Sequence, residues 1–293
     1  MSLEPRHIAV ACDGDHVALG AFEEAVVVWS LVQHRLLSKM KTVLDFGGQR
    51  LAVCLNPDPV VVAGAWERHG ICGYSLDGTL LWQRKDLKKV QALVSARRGA
   101  AVAACFSDGP MRVLDTTSGE TISEVRAVRG YAEGSPAGLG AAALRGGVAL
   151  LDTEDWNFRW KASVPGFALL DIALATGALA ASGVAQPHDE DRSGISCFDL
   201  SGEQIWRWQA PSEVNVPRLG WDGRQTEWVG VLNHVNNREP DTLARWSVDG
   251  EIVARHPLGS LASYELTPDA ALLVTDQGVF DARQGDLLWG FGT

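Results

Sequence analysis

Short apolar runs separated by polar turns fill the whole chain, and no segment has the spacing of a long amphipathic helix. The N-terminal part shows the pattern in the runs HIAVAC, HVALGAF, AVVVWSL and RLLSKM, which are separated by DGD, EE and VQH. Runs of this length bounded by turn residues are typical of β-strands, and DG and SG pairs favour tight hairpins. The pattern therefore predicts an all-β protein built from consecutive hairpins.

The four-run pattern returns about every 42 residues. In each copy a Ser or Asp follows the third run, a turn that often carries Gly comes next, and the fourth run often contains Trp. The aligned Ser or Asp residues are Ser30, Ser75, Asp115, Asp152, Asp199, Ser247 and Asp281. Repeats of this length with four antiparallel strands are typical of propeller blades, which bury both faces only by packing around an axis.

Seven copies account for the chain and predict one domain, residues 1–293, folded as a seven-bladed β-propeller of four-stranded antiparallel blades. The approximate blades are 1–44, 45–88, 89–128, 129–165, 166–212, 213–258 and 259–293. The first and last copies each have their own four runs. We therefore expect the ring to close by packing between blades and not by an exchanged strand.

The turn between the third and fourth runs carries a family resemblance. Asp281, Gly285 and Trp289 have the spacing of the quinoprotein-type repeat. Two further copies have it with one residue deleted, at Asp199, Gly202 and Trp206 and at Ser75, Gly78 and Trp82. The chain thus resembles WD-like and quinoprotein-like (PQQ-type repeat) propellers. The resemblance implies the fold, but quinone chemistry is not expected, because the adjacent cysteine pair common in that enzyme class is absent.

The composition limits the kinds of partner that the protein is expected to bind. Asp and Glu number 36 against 26 Lys and Arg, giving a net charge of −10. Phosphate backbones and anionic membranes require a basic footprint, so neither nucleic acid nor membrane is expected as a partner. The N-terminus has no secretory pattern, and the five cysteines are scattered and odd in number. These features predict a cytoplasmic protein with reduced thiols.

The longest connections between second and third strands are the expected binding surface, because loops on a constant scaffold carry most binding sites. Three stand out in the sequence, WERHG, AQPHDEDRSG and NHVNNREPDT, and all three should lie on one face of the disc. The candidate binding residues are Trp66, Arg68, His69, His188, Asp189, Asp191, His234, Asn236 and Arg238.

Metal binding has only partial motifs. Asp189, Asp191 and Ser193 match the first half of a calcium loop, but Cys197 and Leu200 stand where its closing ligands belong. The histidines of the three connections, at 69, 188 and 234, come from separate blades, so their spacing gives no support for zinc. No cofactor is expected, and calcium or zinc is the alternative.

The function that this architecture favours is a non-catalytic binding or scaffold module for a protein or peptide partner. Nucleophile elbows, phosphate loops and HExxH motifs are absent from the sequence. The alternative is a lyase or hydrolase, with or without the help of a metal ion, in which His188 or His234 acts beside Asp189 or Glu239. A third hypothesis places a small ligand or sugar in the channel, against Trp221 and Trp228.

Overall fold

The computed structural model describes residues 7–20, 25–44, 50–55, 58–133, 138–164, 167–185, 193–211, 213–234 and 239–291. Within these ranges the chain forms seven four-stranded antiparallel sheets and a single turn of 3-10 helix at Arg97–Gly99. Each sheet is made of four consecutive strands in chain order. The predicted seven-bladed β-propeller is therefore confirmed.

The strands are numbered in chain order. Blade 1 contains β1 (His7–Val10), β2 (His16–Gly20), β3 (Ala25–Ser30) and β4 (Arg35–Lys41). Blade 2 contains β5 (Leu51–Leu55), β6 (Pro59–Gly64), β7 (Ile71–Ser75) and β8 (Leu80–Arg84). Blade 3 contains β9 (Val90–Ala96), β10 (Ala101–Phe106), β11 (Met111–Asp115) and β12 (Thr121–Val125). Blade 4 contains β13 (Val128–Glu133), β14 (Leu139–Leu144), β15 (Gly147–Asp152) and β16 (Phe158–Ser163).

The remaining three blades follow the same plan. Blade 5 contains β17 (Phe167–Leu174), β18 (Ala178–Ala185), β19 (Gly194–Asp199) and β20 (Gln204–Gln209). Blade 6 contains β21 (Val214–Asp222), β22 (Glu227–His234), β23 (Asp241–Trp246) and β24 (Ile252–Gly259). Blade 7 contains β25 (Tyr264–Leu266), β26 (Leu272–Thr275), β27 (Val279–Asp281) and β28 (Leu287–Trp289).

The first strand of each blade faces the axis. Neighbouring first strands contact one another around the whole ring, from β1 through β5, β9, β13, β17, β21 and β25 back to β1. Antiparallel order puts the first-to-second and third-to-fourth turns on one face, which we call the lower face. The second-to-third connections and the links between blades lie on the opposite, upper face. Loops of the two faces are therefore separated by the length of a strand.

The core lies between blades. Seven clusters of buried side chains occur in the described residues, and each joins one blade to the next. Adjacent residues of a strand serve different interfaces: Leu51 and Val53 pack toward blade 1, whereas Ala52 and Cys54 pack toward blade 3. This division follows from the alternation of side chains along a strand. It explains why the sequence shows nearly continuous apolar runs instead of alternating ones.

Tryptophans of the fourth strands join successive blades. The indole nitrogen of Trp82 donates to the carbonyl oxygen of Thr116 in the next blade at 2.8 Å, and its ring covers Gly119. Trp160 donates to the Leu200 carbonyl at the same distance and covers a glycine in blade 5. A Cβ on Gly119 would lie 2.6 Å from the Trp82 ring, so this turn needs glycine.

The ring closes between blades 7 and 1 through aromatic packing. Trp29 of β3 lies 6.0 Å from Trp289 and 5.5 Å from Phe291, measured between ring centroids. His34 stacks on Trp289 with centroids 5.0 Å apart. Residues 7–10 pair with β2 inside blade 1. Residues 1–6 lie outside the described residues, so closure without an exchanged strand stays a prediction.

All five cysteines are free thiols, and Cys12 is the one that is not fully buried. No helix within the described ranges has both the length and the apolar character needed to cross a membrane.

Candidate functional site

A central cavity of about 720 Å³ is lined by residues from all seven first strands. It also reaches first-to-second turns of the lower face, at Cys12, Asp13, Arg98, Gly223, Arg224, Pro268 and Asp269. Ligand-binding cavities in proteins commonly have volumes of about 300 to 1,000 Å³. The cavity is therefore large enough for a small molecule or a peptide side chain, and its mouth is on the lower face.

Three charged residues of blades 5, 6 and 7 lie in the channel wall. Arg218 of β21 donates from Nε to Oε2 of Glu265 in β25 at 2.9 Å. The Oδ2 atom of Asp171 in β17 accepts a hydrogen bond from the backbone N–H of Leu219 at 2.8 Å. The inner strands of three successive blades are thus linked by polar contacts.

Irregularities of the strands position these side chains. The register between β17 and β18 shifts between Leu169 and Asp171, and that between β21 and β22 shifts between Asn215 and Arg218. Bulges re-aim side chains and release backbone groups from the ladder, and they are common beside functional sites. Asp171 and Arg218 lie at these two shifts, and Asp171 borders the cavity.

Asp171 is the most perturbed acid of the channel. It lies deep in the ring but keeps a partly exposed surface toward the cavity. Burial raises the pKa of Asp171 to about 7; the charge of Arg218 opposes this shift, and that of Glu265 adds to it. Near neutral pH this carboxyl group is therefore divided between its protonated and ionised forms.

A second, half-buried carboxylate lies at the lower mouth. Both carboxylate oxygens of Glu133 accept from the backbone N–H of Arg98 at 3.0 Å. Burial raises the pKa of Glu133, although the Arg98 amide and guanidinium oppose the shift. Cys12 lies nearby, and the pKa of its thiol is raised by burial and by the charges of Asp13 and Glu133.

The Arg97–Gly99 turn is strained. Arg97 and Arg98 have positive φ values of 49° and 54°, which non-glycine residues rarely adopt. The Arg97 side chain donates to the carbonyl oxygens of Thr153 and Glu154, which fixes the turn against blade 4. This arrangement points the Arg98 amide toward Glu133. Backbone strain of this kind occurs preferentially at functional sites.

One group in the described chain has the residue types of a cation site: Asp13, Asp15 and His16, whose candidate ligand atoms lie within 4.8 Å of one another. The Asp13 oxygens already accept from the amides of Asp15 and His16 and contact the His16 ring at 2.7 Å. Asp15 accepts from the hydroxyl of Ser30 and the amide of Val32. These contacts make the group a hydrogen-bonded turn.

The predicted residues of blade 2 lie on the upper face. Trp66 is half-buried, and the guanidinium of Arg50 lies 4.9 Å from its ring centroid. Arg68 and His69 are exposed in the same connection between β6 and β7. None of these residues is among those that line the cavity.

The predicted residues of blades 5 and 6 are described only in part. His188, Asp189, Asp191, Asn236 and Arg238 lie outside the described residues. Three others can be placed. The Ser193 hydroxyl donates to the side-chain oxygen of Asn215 at 3.1 Å, and His234 Nδ1 lies 3.5 Å from Glu239 Oε2.

Of the two tryptophans expected in the channel, Trp228 is buried away from it. Trp228 is 1% exposed and packs edge-on against Trp221, with centroids 4.8 Å apart. Trp221 alone of the pair borders the cavity.

Sequence reasoning missed Asp171, Arg218, Glu265 and Glu133. Asp171 carried a signal, since it is the charge within the apolar run FALLDIALATGALAASGV. An acid in the first strand of a blade, facing the axis, is a candidate for a channel residue.

Comparisons with known proteins support the architecture. No protein-family model and no curated protein matches the chain. In contrast, 1291 chains of solved structures match it. One is Kuenenia stuttgartiensis hydrazine synthase, with a TM-score of 0.69, 12% identity, and coverage of 93% of this chain and 92% of that chain. At this identity the similarity shows the β-propeller fold alone.

Proposed function

We propose that the protein is a non-catalytic binding module that holds a protein or peptide partner at its central channel and the loops around it. The observation that carries this proposal is the mixed lining of the cavity. Apolar side chains such as Leu51, Leu93 and Ile172 surround a few charged groups, which is the composition of recognition sites. The scaffold around the cavity is held by seven buried interfaces, so the site is preorganised.

We further propose that the repeats are of the WD-like or quinoprotein-like class. The contacts of Trp82 with Gly119 and of Trp160 with Gly202 support this, because they give the recurring Trp and Gly of the sequence a common packing role.

A capture experiment with two variants tests the binding proposal. Ala132 borders the cavity, and Ala132→Trp should fill its mouth. Arg68→Ala with His69→Ala removes exposed side chains of the upper face. Proteins retained from cells of the source organism should be identified by mass spectrometry for the wild type and both variants, after matched circular dichroism spectra show that all are folded.

We expect one partner to be retained by the wild type and the upper-face variant and lost by Ala132→Trp. Equal retention by the folded Ala132→Trp variant would contradict binding at the channel. Loss only in the upper-face variant would place recognition on the predicted connections instead.

A lyase or hydrolase is the second candidate, supported by the contact between His234 and Glu239. A carboxylate beside an imidazole can orient it as a general base. The variants His234→Ala and Glu239→Gln should then abolish the cellular function without unfolding the protein, and elemental analysis of chelator-free protein should find stoichiometric metal if calcium or zinc takes part. Full function in both variants would exclude this pair.

A further inference from the structure

The cavity lining carries an excess of acids. Its carboxylates are Asp13, Glu133, Asp171, Glu265 and Asp269, whereas its only guanidinium groups among the described residues are those of Arg98 and Arg224. Arg218 adds one positive charge in the wall beside Asp171 and Glu265. Carboxylates therefore outnumber guanidinium groups by five to three, and this excess of negative charge favours cations in the channel.

Three of the five carboxylates have side-chain partners. Asp269 lies 3.7 Å from the Arg224 guanidinium and Glu265 lies 2.9 Å from that of Arg218. Asp13 contacts the His16 ring at 2.7 Å.

Asp171 and Glu133 differ from the other three. In the described part of the chain neither forms a salt bridge, and each accepts hydrogen bonds from backbone amides, those of Leu219 and Arg98. Burial raises the pKa of both groups against the opposing charges of Arg218 and Arg98, so burial destabilises their ionised forms. They belong to adjacent blades, and their strands β17 and β13 contact each other.

Apolar side chains form much of the remaining channel lining. Ile172 and Leu174 follow Asp171 in β17, and the lining continues through blades 6 and 7 with Leu219, Trp221 and Leu266. A ligand that fits such a lining has a charged end and an aliphatic stem. Lysine and arginine side chains meet this requirement, because they bury their methylene groups while their charged ends bind polar groups. A compact hydrated cation would leave the apolar wall unused.

We propose that the channel receives a lysine or arginine side chain from an extended segment of the partner, with Asp171 and Glu133 as the residues that bind its ammonium or guanidinium group. This inference rests on the proposed function and specifies the chemistry of the partner. Entry through the lower face would bring the charged end past Glu133 to Asp171, whose ionised form then gains a second positive charge in addition to that of Arg218.

Calorimetry with short peptides on the full-length protein tests the proposal. The probes are acetylated and amidated pentapeptides with arginine, lysine or citrulline between flanking glycines; citrulline has the shape of arginine without its charge. Free pentylamine is a fourth probe that lacks a peptide backbone. The variants are Asp171→Asn, and Asp249→Asn as a control that removes the same charge in an exposed third-to-fourth turn of blade 6.

We expect the arginine and lysine peptides to bind the wild type and the Asp249→Asn control equally well. Binding should be weaker by about tenfold or more for the citrulline peptide and for Asp171→Asn, because each removes one partner of an enclosed charge pair. The citrulline comparison uses the wild type, so it stands even if Asp171→Asn were unstable.

Equal affinity for the arginine and citrulline peptides, or unchanged affinity in a folded Asp171→Asn variant, would overturn the inference. Binding of pentylamine without binding of the peptides would also overturn it, since the cation would then not come from a peptide. If the channel-dependent partner of the capture experiment is retained while no peptide binds, this inference fails and the proposed function stands. If no channel-dependent partner is retained and no peptide binds, the proposed function and this inference both fail.

Discussion

Asp171 combines two properties that rarely occur together, a position deep in the protein and a surface on a water-accessible channel. Its pKa of about 7 in the folded protein compares with an ordinary value of about 3.9 in an unfolded chain. Between these values the folded state binds more protons than the unfolded state, so the stability that this group contributes is lost as the pH rises toward 7.

The variant Asp171→Asn tests this linkage. Asparagine still accepts a hydrogen bond from the Leu219 amide but does not titrate. We compare the melting temperature of Asp171→Asn with that of the wild type at each pH. The difference, variant minus wild type, should be larger at pH 8 than at pH 5. Calorimetric scans across this range measure the difference. A difference that stays constant with pH would show that Asp171 titrates as an exposed acid does.

A second buried charge group lies between blades 6 and 7. The Arg245 side chain is 4% exposed and binds Asp222 at 2.9 Å and Glu227 at 2.6 Å. Its remaining Nη1 atom donates to the Ala282 carbonyl of blade 7 at 2.9 Å. Both carboxylates are therefore needed to balance the buried positive charge of Arg245.

Removal of Asp222 should be costly. Asp222→Ala leaves Arg245 partly uncompensated and also frees the turn amides of Arg224 and Gln225. We expect a loss of about 3 kcal/mol in the free energy of unfolding, as is typical when one partner of a buried pair is removed. Chemical denaturation measures it. Asp249→Ala is the control, expected within about 0.5 kcal/mol of the wild type, and equal stabilities would contradict a stabilising role for the pair.

At the scale of strands and turns, the contact between a fourth-strand Trp and the next blade is the recurring element. Gly119 and Gly146 offer a matched comparison, because both have positive φ, 71° and 76°, but only Gly119 faces an indole ring. Gly146→Ala should lower the free energy of unfolding by about 1 kcal/mol, from backbone strain alone. Gly119→Ala should cost about 2 kcal/mol more, because the added methyl group forces Trp82 to move.

Urea denaturation of the two glycine variants gives the comparison directly. If both variants lose a similar amount of unfolding free energy, the Trp82 ring moves without an energetic cost and blade packing does not depend on this contact.

Much at this scale could be predicted from the sequence. The third strands end at Ser30, Ser75, Asp115, Asp152, Asp199 and Asp281, as the repeat alignment implied, and β23 ends one residue before Ser247. In the structure the Asp199 side chain accepts from the amide two residues on at 2.8 Å, and Asp281 does the same at 2.7 Å. These contacts are local, so sequence patterns contain them.

The channel site could not be predicted in this way. Asp171 meets the Leu219 amide only because two strands of different blades each carry a register shift. A pairing between distant segments depends on where the bulges occur, and one sequence does not show their positions. Loop length favours the upper-face residues as a binding surface, whereas the cavity opens on the lower face, where the turns are short.

At the scale of the whole molecule, the ring depends on the seam between blades 7 and 1, where no strand is exchanged among the described residues. Trp289 is the centre of this seam, in contact with Trp29, His34 and Phe291. Trp289→Ala should therefore loosen both chain ends together, at a cost of about 2 kcal/mol for a half-buried aromatic residue.

Hydrogen exchange followed by mass spectrometry detects this loosening. Amides of β28 and of β1 should exchange faster in Trp289→Ala, while those of β13 and β14 across the ring should change little. Ile205→Ala, on an exposed site of a fourth strand, is the control and should leave all of them unchanged. Loss of protection in blade 7 alone would contradict closure through this contact.

The central claim is that the channel, entered from the lower face, is where the partner binds. Cys12 reports on it directly, because it borders the cavity and the other four cysteines are buried. The most direct measurement is the rate at which N-ethylmaleimide modifies Cys12 at pH 8, followed by peptide mass spectrometry with and without saturating arginine peptide or captured partner. We predict a several-fold slower modification when either is bound. An unchanged rate in the presence of a bound partner would contradict binding at the channel.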